Sequence, residues 1–397
     1  MKVLQINTVV NSGSTGRIAE EIGELLLQNN HESLIAYGRG KGKSSSKLLK
    51  IGNKFDQYKH GLSTLLFDKH GLSSITSTRK AINEIESFKP DIIHLHNIHG
   101  YYLNYKELFD YIKSKSKPIV WTFHDAWPIT GHCSYFDSVG CEKWKTHCNN
   151  CPITNHYPKS LSDRSFKNFE DKLGSYGNYD LHIVTPSKWL KTIVESSFLK
   201  NNKIIKIHNG IDIDKFKILN LKRTEQKIIL GVASTWDKRK GLKDFIELSK
   251  QLNKNYSIVL IGLSKKQIKG LPNNIKGIER TESIDDLVNW YNKASFFINP
   301  TYVDNFPTTN IEALACGTPI ITYDTGGSAE AIKNESEVGY VVEKGNVSRI
   351  AEIIENFSYS EDVGLKCRDS AIKHFNKIER YLDYINLYHS ILKKKEI

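Results

Sequence analysis

The chain has 397 residues, 39% hydrophobic and 25% charged, with a formal net charge of +12. That length exceeds what one core usually serves, so two domains are the default, and the composition excludes a disordered chain. The basic excess is spread over both halves without any nucleic-acid-binding motif, so acidic head groups or phosphorylated ligands are the expected partners and nucleic acid is not.

Met1-Lys2 runs straight into Val3-Leu4-Gln5-Ile6, too short and polar for a signal peptide. No apolar run approaches the roughly 20 residues that cross a bilayer. A cytoplasmic protein is expected, with peripheral contact at the inner face of an anionic membrane. Lys2 to Asn7 reads as a strand ending in the loop Asn11-Ser-Gly-Ser-Thr-Gly16, followed by a helix carrying Ile18, Ile22, Leu25 and Leu26 on one face. His31 to Tyr37, Asp91 to His96 and Pro118 to His124 read as further strands, with a helix through Tyr105, Leu108, Phe109 and Ile112 between the last two. Leu181 to Thr185 then leads into a helix near Ser187. Strands alternating with helices imply a mostly parallel sheet with functional residues at the strand C-termini.

The second half repeats the pattern at Lys227–Ala233, Tyr256–Ile261, Ser295–Asn299 and Pro319–Thr322. The expected division is 1–205 and 206–377, near the turn Asn209-Gly210-Ile211-Asp212. A closing helix at about 378–397, striped with Ile378, Tyr381, Ile385, Tyr388 and Leu392, is expected to pack back onto the first domain. Between the last two strands, Pro307 suits a first helical position, leaving the N–H groups of Thr308, Thr309 and Asn310 as unpaired donors at the positive end of a helix dipole. That is a cradle for a phosphate or pyrophosphate. Asp304 and Glu312 flank it, which suits a ligand with both a diphosphate and sugar hydroxyls.

The ordered set Asp304-x7-Glu312, Ala315-Cys-Gly-Thr-Pro319, Gly326-Gly-Ser-Ala-Glu330, Asn209-Gly-Ile-Asp212, Thr185-Pro-Ser-Lys-Trp189 and Lys240-Gly241 resembles family 4 glycosyltransferases over essentially the whole chain. The segment Thr122-Phe-His-Asp-Ala-Trp-Pro-Ile-Thr-Gly131, with the cysteines after it, further resembles bacterial transferases of capsule and exopolysaccharide (colanic-acid-type) assembly. The resemblance implies an α/β fold of two Rossmann-like domains facing across a cleft, the GT-B architecture. It implies transfer of a sugar, with retention and without a catalytic metal, from a UDP- or GDP-sugar to a glycan or lipid-linked acceptor.

Carried over by motif, Glu312 would hold the donor ribose, the Thr308 and Thr309 backbone the distal phosphate, and Asp304 the sugar hydroxyls. Lys240 matches the lysine that neutralises the leaving diphosphate. Two departures stand out: Asp304 replaces the usual glutamate, and Thr235 stands where the family has an arginine, with Arg239 as the candidate substitute. His124 is expected to face the donor sugar as a positioning group. Gly13 and Gly16 would let backbone approach the donor phosphate or acceptor, and His96, Asn97 and Asp125 would line the acceptor side, with His94 and His99 nearby. The alternatives are a sugar-nucleotide epimerase or a non-catalytic nucleotide-sugar-binding protein on the same scaffold.

Cys133, Cys141, Cys148 and Cys151 cluster in one polar insertion, while Cys316 and Cys367 stand apart. Four clustered thiols in a reducing compartment read as a structural zinc site or as reduced thiols packed in a loop. Cys316 reads as a small buried apolar residue.

Overall fold

Short apolar runs, each returning through a helix, pair into two all-parallel sheets in the computed structural model, which describes residues 1–221 and 226–394. The first sheet holds β1 (Lys2–Asn7), β2 (Glu32–Tyr37), β3 (Lys47–Lys50), β4 (Ile92–Leu95), β5 (Ile119–Thr122), β6 (Leu181–Thr185) and β7 (Lys203–Lys206), in the order β3-β2-β1-β4-β5-β6-β7. The second holds β8 (Lys227–Val232), β9 (Tyr256–Ile261), β10 (Ile275–Ile278), β11 (Ala294–Asn299), β12 (Ile320–Tyr323) and β13 (Gly339–Val342), in the order β10-β9-β8-β11-β12-β13. Both are doubly wound sheets whose order reverses beside the first strand. Loops at the carboxyl ends of β1 and β4, and of β8 and β11, therefore diverge and leave a crevice where ligands bind in such folds.

Two compact units result, one of Met1–His208 with the chain from Arg380 onward, the other of Asn209–Glu379. The division lies three residues beyond the expected 205. Ile207 still donates its N–H to Thr185 (3.0 Å), and His208 Nδ1 lies 2.8 Å from the Pro186 carbonyl, so both stay with the first sheet. Asn209-Gly-Ile-Asp212 belongs to the second unit: Ile211 exchanges backbone hydrogen bonds with Phe375 and Lys377, and Asp212 holds the Lys377 ammonium at 2.8 Å.

The helix Lys377–Lys393 buries Tyr381, Ile385 and Tyr388 in the first unit's core, beside Ile18, Ile22 and Val120. Ile378, before the change of unit, is exposed. Two helix starts differ from expectation. The first helix begins at Gly13, so Gly16 lies inside its first turn. Pro307 is the cap before the helix Thr308–Ala315, in extended backbone, rather than its first residue. Among the described residues, no helix is long and apolar enough to cross a membrane.

Candidate active site

In the second unit, the site assembles on the loops that leave β8 and β11. After β8 a single 3-10 turn, Lys238–Lys240, is capped by Asp237 and ends at Gly241, whose φ of +72° is in the left-handed region. A Cβ there would collide with the Pro300 carbonyl, so only glycine lets this turn lie against the end of β11. The contact sets Lys240 Nζ 2.5 Å from Asp304 Oδ2, both side chains about one-fifth exposed. Gly326 serves the other side of the same loop. Its φ is +57°, a Cβ would strike the Asp304 carbonyl, and Gly327 donates to that carbonyl at 3.0 Å.

Asp304 leads directly to the helix Thr308–Ala315. The N–H groups of Thr308 and Thr309 have no protein acceptor among the described residues, and both residues are half-buried. The Asn310 N–H differs from expectation: it bonds the Pro307 carbonyl at 3.2 Å. The Asn310 side chain is buried, accepting from Asn299 at 2.8 Å and donating to the Ser328 carbonyl at 3.0 Å. Asn310 thus ties β11, the helix and the glycine loop together, and its N–H is not one of the unpaired donors expected. Glu312 is buried, and its Oε2 accepts the Tyr291 hydroxyl at 2.9 Å. Arg239 forks onto Asp237 at 3.1 and 2.8 Å, while its carbonyl accepts from Tyr302 and Thr301. It reads as a brace of the 300–304 loop. Thr235, where the family has its arginine, is exposed.

In the first unit, imidazoles and amides line the equivalent crevice. Gln5, buried in β1, presents Oε1 to His96 Nε2 at 3.1 Å, and His96 Nδ1 meets His124 Nε2 at 3.1 Å. An amide oxygen only accepts, so the relay is assigned with His96 Nε2–H donating to Gln5 and His124 Nε2–H donating to His96. Burial lowers both imidazoles, His124 to about 4 and His96 well below its ordinary value, so both are neutral near pH 7. His96 is buried and acts through His124, which is half-buried. Asp125 is buried as well, bonded to His99 Nε2 at 3.1 Å and to the Trp127 N–H at 2.9 Å. Burial alone would raise its carboxyl, but His99 and these bonds hold it below the usual range. Any acceptor contact expected of His96 and Asp125 therefore passes through neighbours. Asn97, half-buried, has its N–H on Asn7 Oδ1 at 3.3 Å. His94 is structural, held between Thr122 and Tyr388 at 2.8 and 2.7 Å. Gly13 has a φ of +63° and open space where a Cβ would stand, while Gly16 packs against Val9.

Reading from sequence missed Tyr291, Asn299 and Gln5. Only Gln5 left a signal there, as an amide inside an apolar strand. The cysteines are all free thiols. Cys133, Cys141, Cys148 and Cys151 line one cavity, yet among the described residues no group of three or more His, Cys, Asp or Glu side chains already stands in a metal-holding arrangement.

Known proteins resemble this chain in sequence and in fold. The profile described as Glycosyltransferase Family 4 matches residues 15–215, and that described as Glycosyl transferases group 1 matches residues 212–374. The putative colanic acid biosynthesis glycosyl transferase WcaC of Escherichia coli K12 is 24% identical over 372 residues, covering 89% of this chain and 90% of that protein. The capsular polysaccharide biosynthesis glycosyltransferase CapM of Staphylococcus aureus is 27% identical over 239 residues, 54% of this chain and 63% of that protein. HepE from Anabaena, solved in complex with UDP-glucose, shares the fold with a TM-score of 0.68 at 13% identity, over 98% of this chain and 100% of that one. Two parallel Rossmann-type sheets in two units make the GT-B architecture, and the chain belongs to glycosyltransferase family 4.

Proposed function

We propose that this glycosyltransferase moves a sugar from a UDP- or GDP-sugar to a glycan or lipid-linked acceptor in bacterial surface polysaccharide biosynthesis, retaining anomeric configuration and using no catalytic metal. The observation that carries this reading is the Lys240–Asp304 pair beside the two acceptor-less N–H groups of Thr308 and Thr309. A departing nucleoside diphosphate builds negative charge on its distal phosphate. A fixed ammonium and oriented N–H donors stabilise that charge most where they are held in place before reaction. Lys240 takes this role, with Asp304 released to the sugar hydroxyls and Glu312 on the ribose. The C1–O bond breaks with its electron pair going to the diphosphate. The acceptor hydroxyl bonds C1 on the same face, and its proton passes to the leaving phosphate oxygen. His124, kept neutral, is a hydrogen-bonding partner for sugar hydroxyls.

The names of WcaC and CapM support the polysaccharide setting, and HepE with UDP-glucose supports the donor class. The lipid-linked acceptor is supported by the helix Lys54–Phe67. It turns Phe55, Tyr58, Leu62 and Leu66 outward as one stripe, while His60 and Thr64 are buried on its other face. Lys54, Lys59 and Lys69 border the stripe, with Lys59 Nζ 4.4 Å from the Phe55 ring centre. An outward apolar stripe rimmed with lysines matches the interface of an anionic bilayer.

Incubation with a panel of nucleotide sugars tests the reading. Acceptor-dependent release of nucleoside diphosphate is expected; interconversion of the sugars would point to an epimerase, and silence to binding alone. Flotation with anionic liposomes at low salt should capture the protein and fail for the Phe55→Asp, Leu62→Asp double variant. Absence of wild-type flotation would remove the membrane arm.

A further inference from the structure

The segment from Gly131 to Pro152 connects the first unit's core to a surface loop with little regular structure, only the single turns Asp137–Val139 and Lys143–Lys145. A stretch of that kind inside a compact domain needs something to fix it. Part of the answer is the Phe136–Trp144 ring pair, 4.9 Å apart and buried. The rest lies in the cavity beside it, about 20 Å³, room for one water-sized body, on which Cys133, Cys141, Cys148, Cys151 and His132 converge.

Four features of this cavity point to a cation. Two sulfurs already accept backbone N–H groups, Cys148 from Gly131 at 3.2 Å and Cys151 from Ile153, a second-layer support of the kind that holds metal ligands in place. Cys133 and Cys151 are hydrogen-bonded to each other. His132 is fully buried with Nδ1 2.6 Å from Asp68 Oδ1. With Asp68 Oδ1 as acceptor, Nδ1 carries the proton and Nε2 presents a lone pair, which has no hydrogen-bond partner among the described residues. A carboxylate that orients an imidazole in this way is the usual support of a metal-ligating histidine. Finally, Lys172 is buried with its Nζ on the Trp127 and Thr130 carbonyls at 2.5 and 2.8 Å, without a carboxylate in salt-bridge contact among the described residues, and burial lowers it to about 7. It adjoins the loop that carries the thiols, and a metal–thiolate centre, negative overall, would favour its charged form.

We propose that this loop is a structural zinc site, with the thiolates of Cys133, Cys148 and Cys151 as three ligands and Cys141 Sγ or His132 Nε2 as the fourth. Each thiol that ligates releases its proton to solvent as the ion enters. The side chains do not yet stand in a metal-holding arrangement, so the ion draws them inward and the order of the loop depends on it. Soft sulfur ligands select zinc over the oxygen-seeking magnesium and calcium. The site is independent of the transfer reaction proposed above.

The test uses the full chain, purified under reducing conditions without added zinc or a metal-affinity step. Elemental analysis should give about one zinc per chain. Replacement by Co²⁺ should produce thiolate-to-cobalt charge-transfer bands and the visible spectrum of a tetrahedral ion. Cys148→Ser and Cys151→Ser should each lose these bands and lower Tm, while Cys316→Ser, in the second unit, keeps them. Loss of the bands in Cys141→Ser but not His132→Gln identifies an all-sulfur site, and the reverse identifies three sulfurs with one nitrogen. Well under stoichiometric metal, no cobalt bands and four freely titrating thiols in a folded wild-type chain would overturn the proposal. A Cys133–Cys151 disulfide in the reduced preparation would overturn it equally.

Discussion

The two units share a strand order and differ in what they place at its reversal point. In the second, charge is concentrated there: Lys240 against Asp304, a helix start with two acceptor-less N–H groups, and buried Glu312 held by Tyr291. In the first, the same position is imidazole-rich, with a relay of neutral groups from Gln5 through His96 to His124. Of the chain's 14 histidines, His374 is the one in the second unit. The contrast teaches that the fold supplies the crevice and the side chains decide what enters it. Fixed charge and N–H donors suit a diphosphate. Neutral imidazoles suit hydroxyls, which they can orient without carrying charge of their own.

The sharpest way to break the contrast is to remove the cation. Lys240→Ala should lower kcat roughly 10²–10³-fold, the cost of deleting one preorganised group that stabilises transition-state charge, with a smaller change in donor KM. Equal loss in kcat and in donor affinity would mean that Lys240 only binds. Gly326→Ala comes next. Its Cβ would push the Asp304 carbonyl away, and a displacement of about 1 Å at this centre is expected to cost on the order of 10²-fold in kcat/KM. Wild-type kinetics from a folded variant would deny that the glycine sets the position of Asp304.

Tyr291→Phe leaves an oxygen of a buried carboxylate without its hydroxyl partner, and such bonds are worth about 1.5–3 kcal/mol, so donor KM should rise roughly tenfold or more. An unchanged KM would detach Tyr291 from ribose binding.

The first unit is probed by pH. Burial lowers His60 to about 4 and His94 to about 3 in the folded chain. Below about 6.5 the unfolded chain takes up protons that these two buried rings refuse. Stability should therefore fall as pH drops from about 6.5 toward 4, by about 1.4 kcal/mol per ring per pH unit. His94→Gln should flatten that slope in denaturant melts, and an unaltered slope would mean that His94 titrates normally. The smallest effect is expected at Arg239. Its side chain forks onto the partly exposed Asp237, so Arg239→Ala should change kcat/KM by less than about fivefold. A loss comparable to that of Lys240→Ala would show that Arg239 replaces the arginine missing at position 235.

How much of this was legible in the chain depended on distance along it. Central strands such as β1, β9 and β11 are apolar runs and were readable. The short strands β3 (Lys-Leu-Leu-Lys), β10 and β13 were not, because an edge strand buries few residues and leaves little pattern. Gly13 and Gly16 read as a loop because glycine disfavours helix, yet the packing of the first helix against β2 and β1 outweighs that preference. In the site, Asp304, Glu312 and Lys240 were legible because their motifs are local. Tyr291 with Glu312 and Gln5 with His96 were not, since residues 21 and 91 positions apart meet only once the sheets form. The pairing of Asn310 was hidden for a different reason: a cap one residue later than expected captured its N–H.

The central claim is that Lys240 and the Thr308–Thr309 N–H groups stabilise the departing diphosphate in place of a metal. Its most direct test is turnover of the preferred nucleotide sugar in excess chelator, with the product's anomeric configuration read by NMR. Undiminished turnover and a retained anomer are expected. Turnover abolished by chelator and restored by Mg²⁺ or Mn²⁺, or an inverted product, would contradict it.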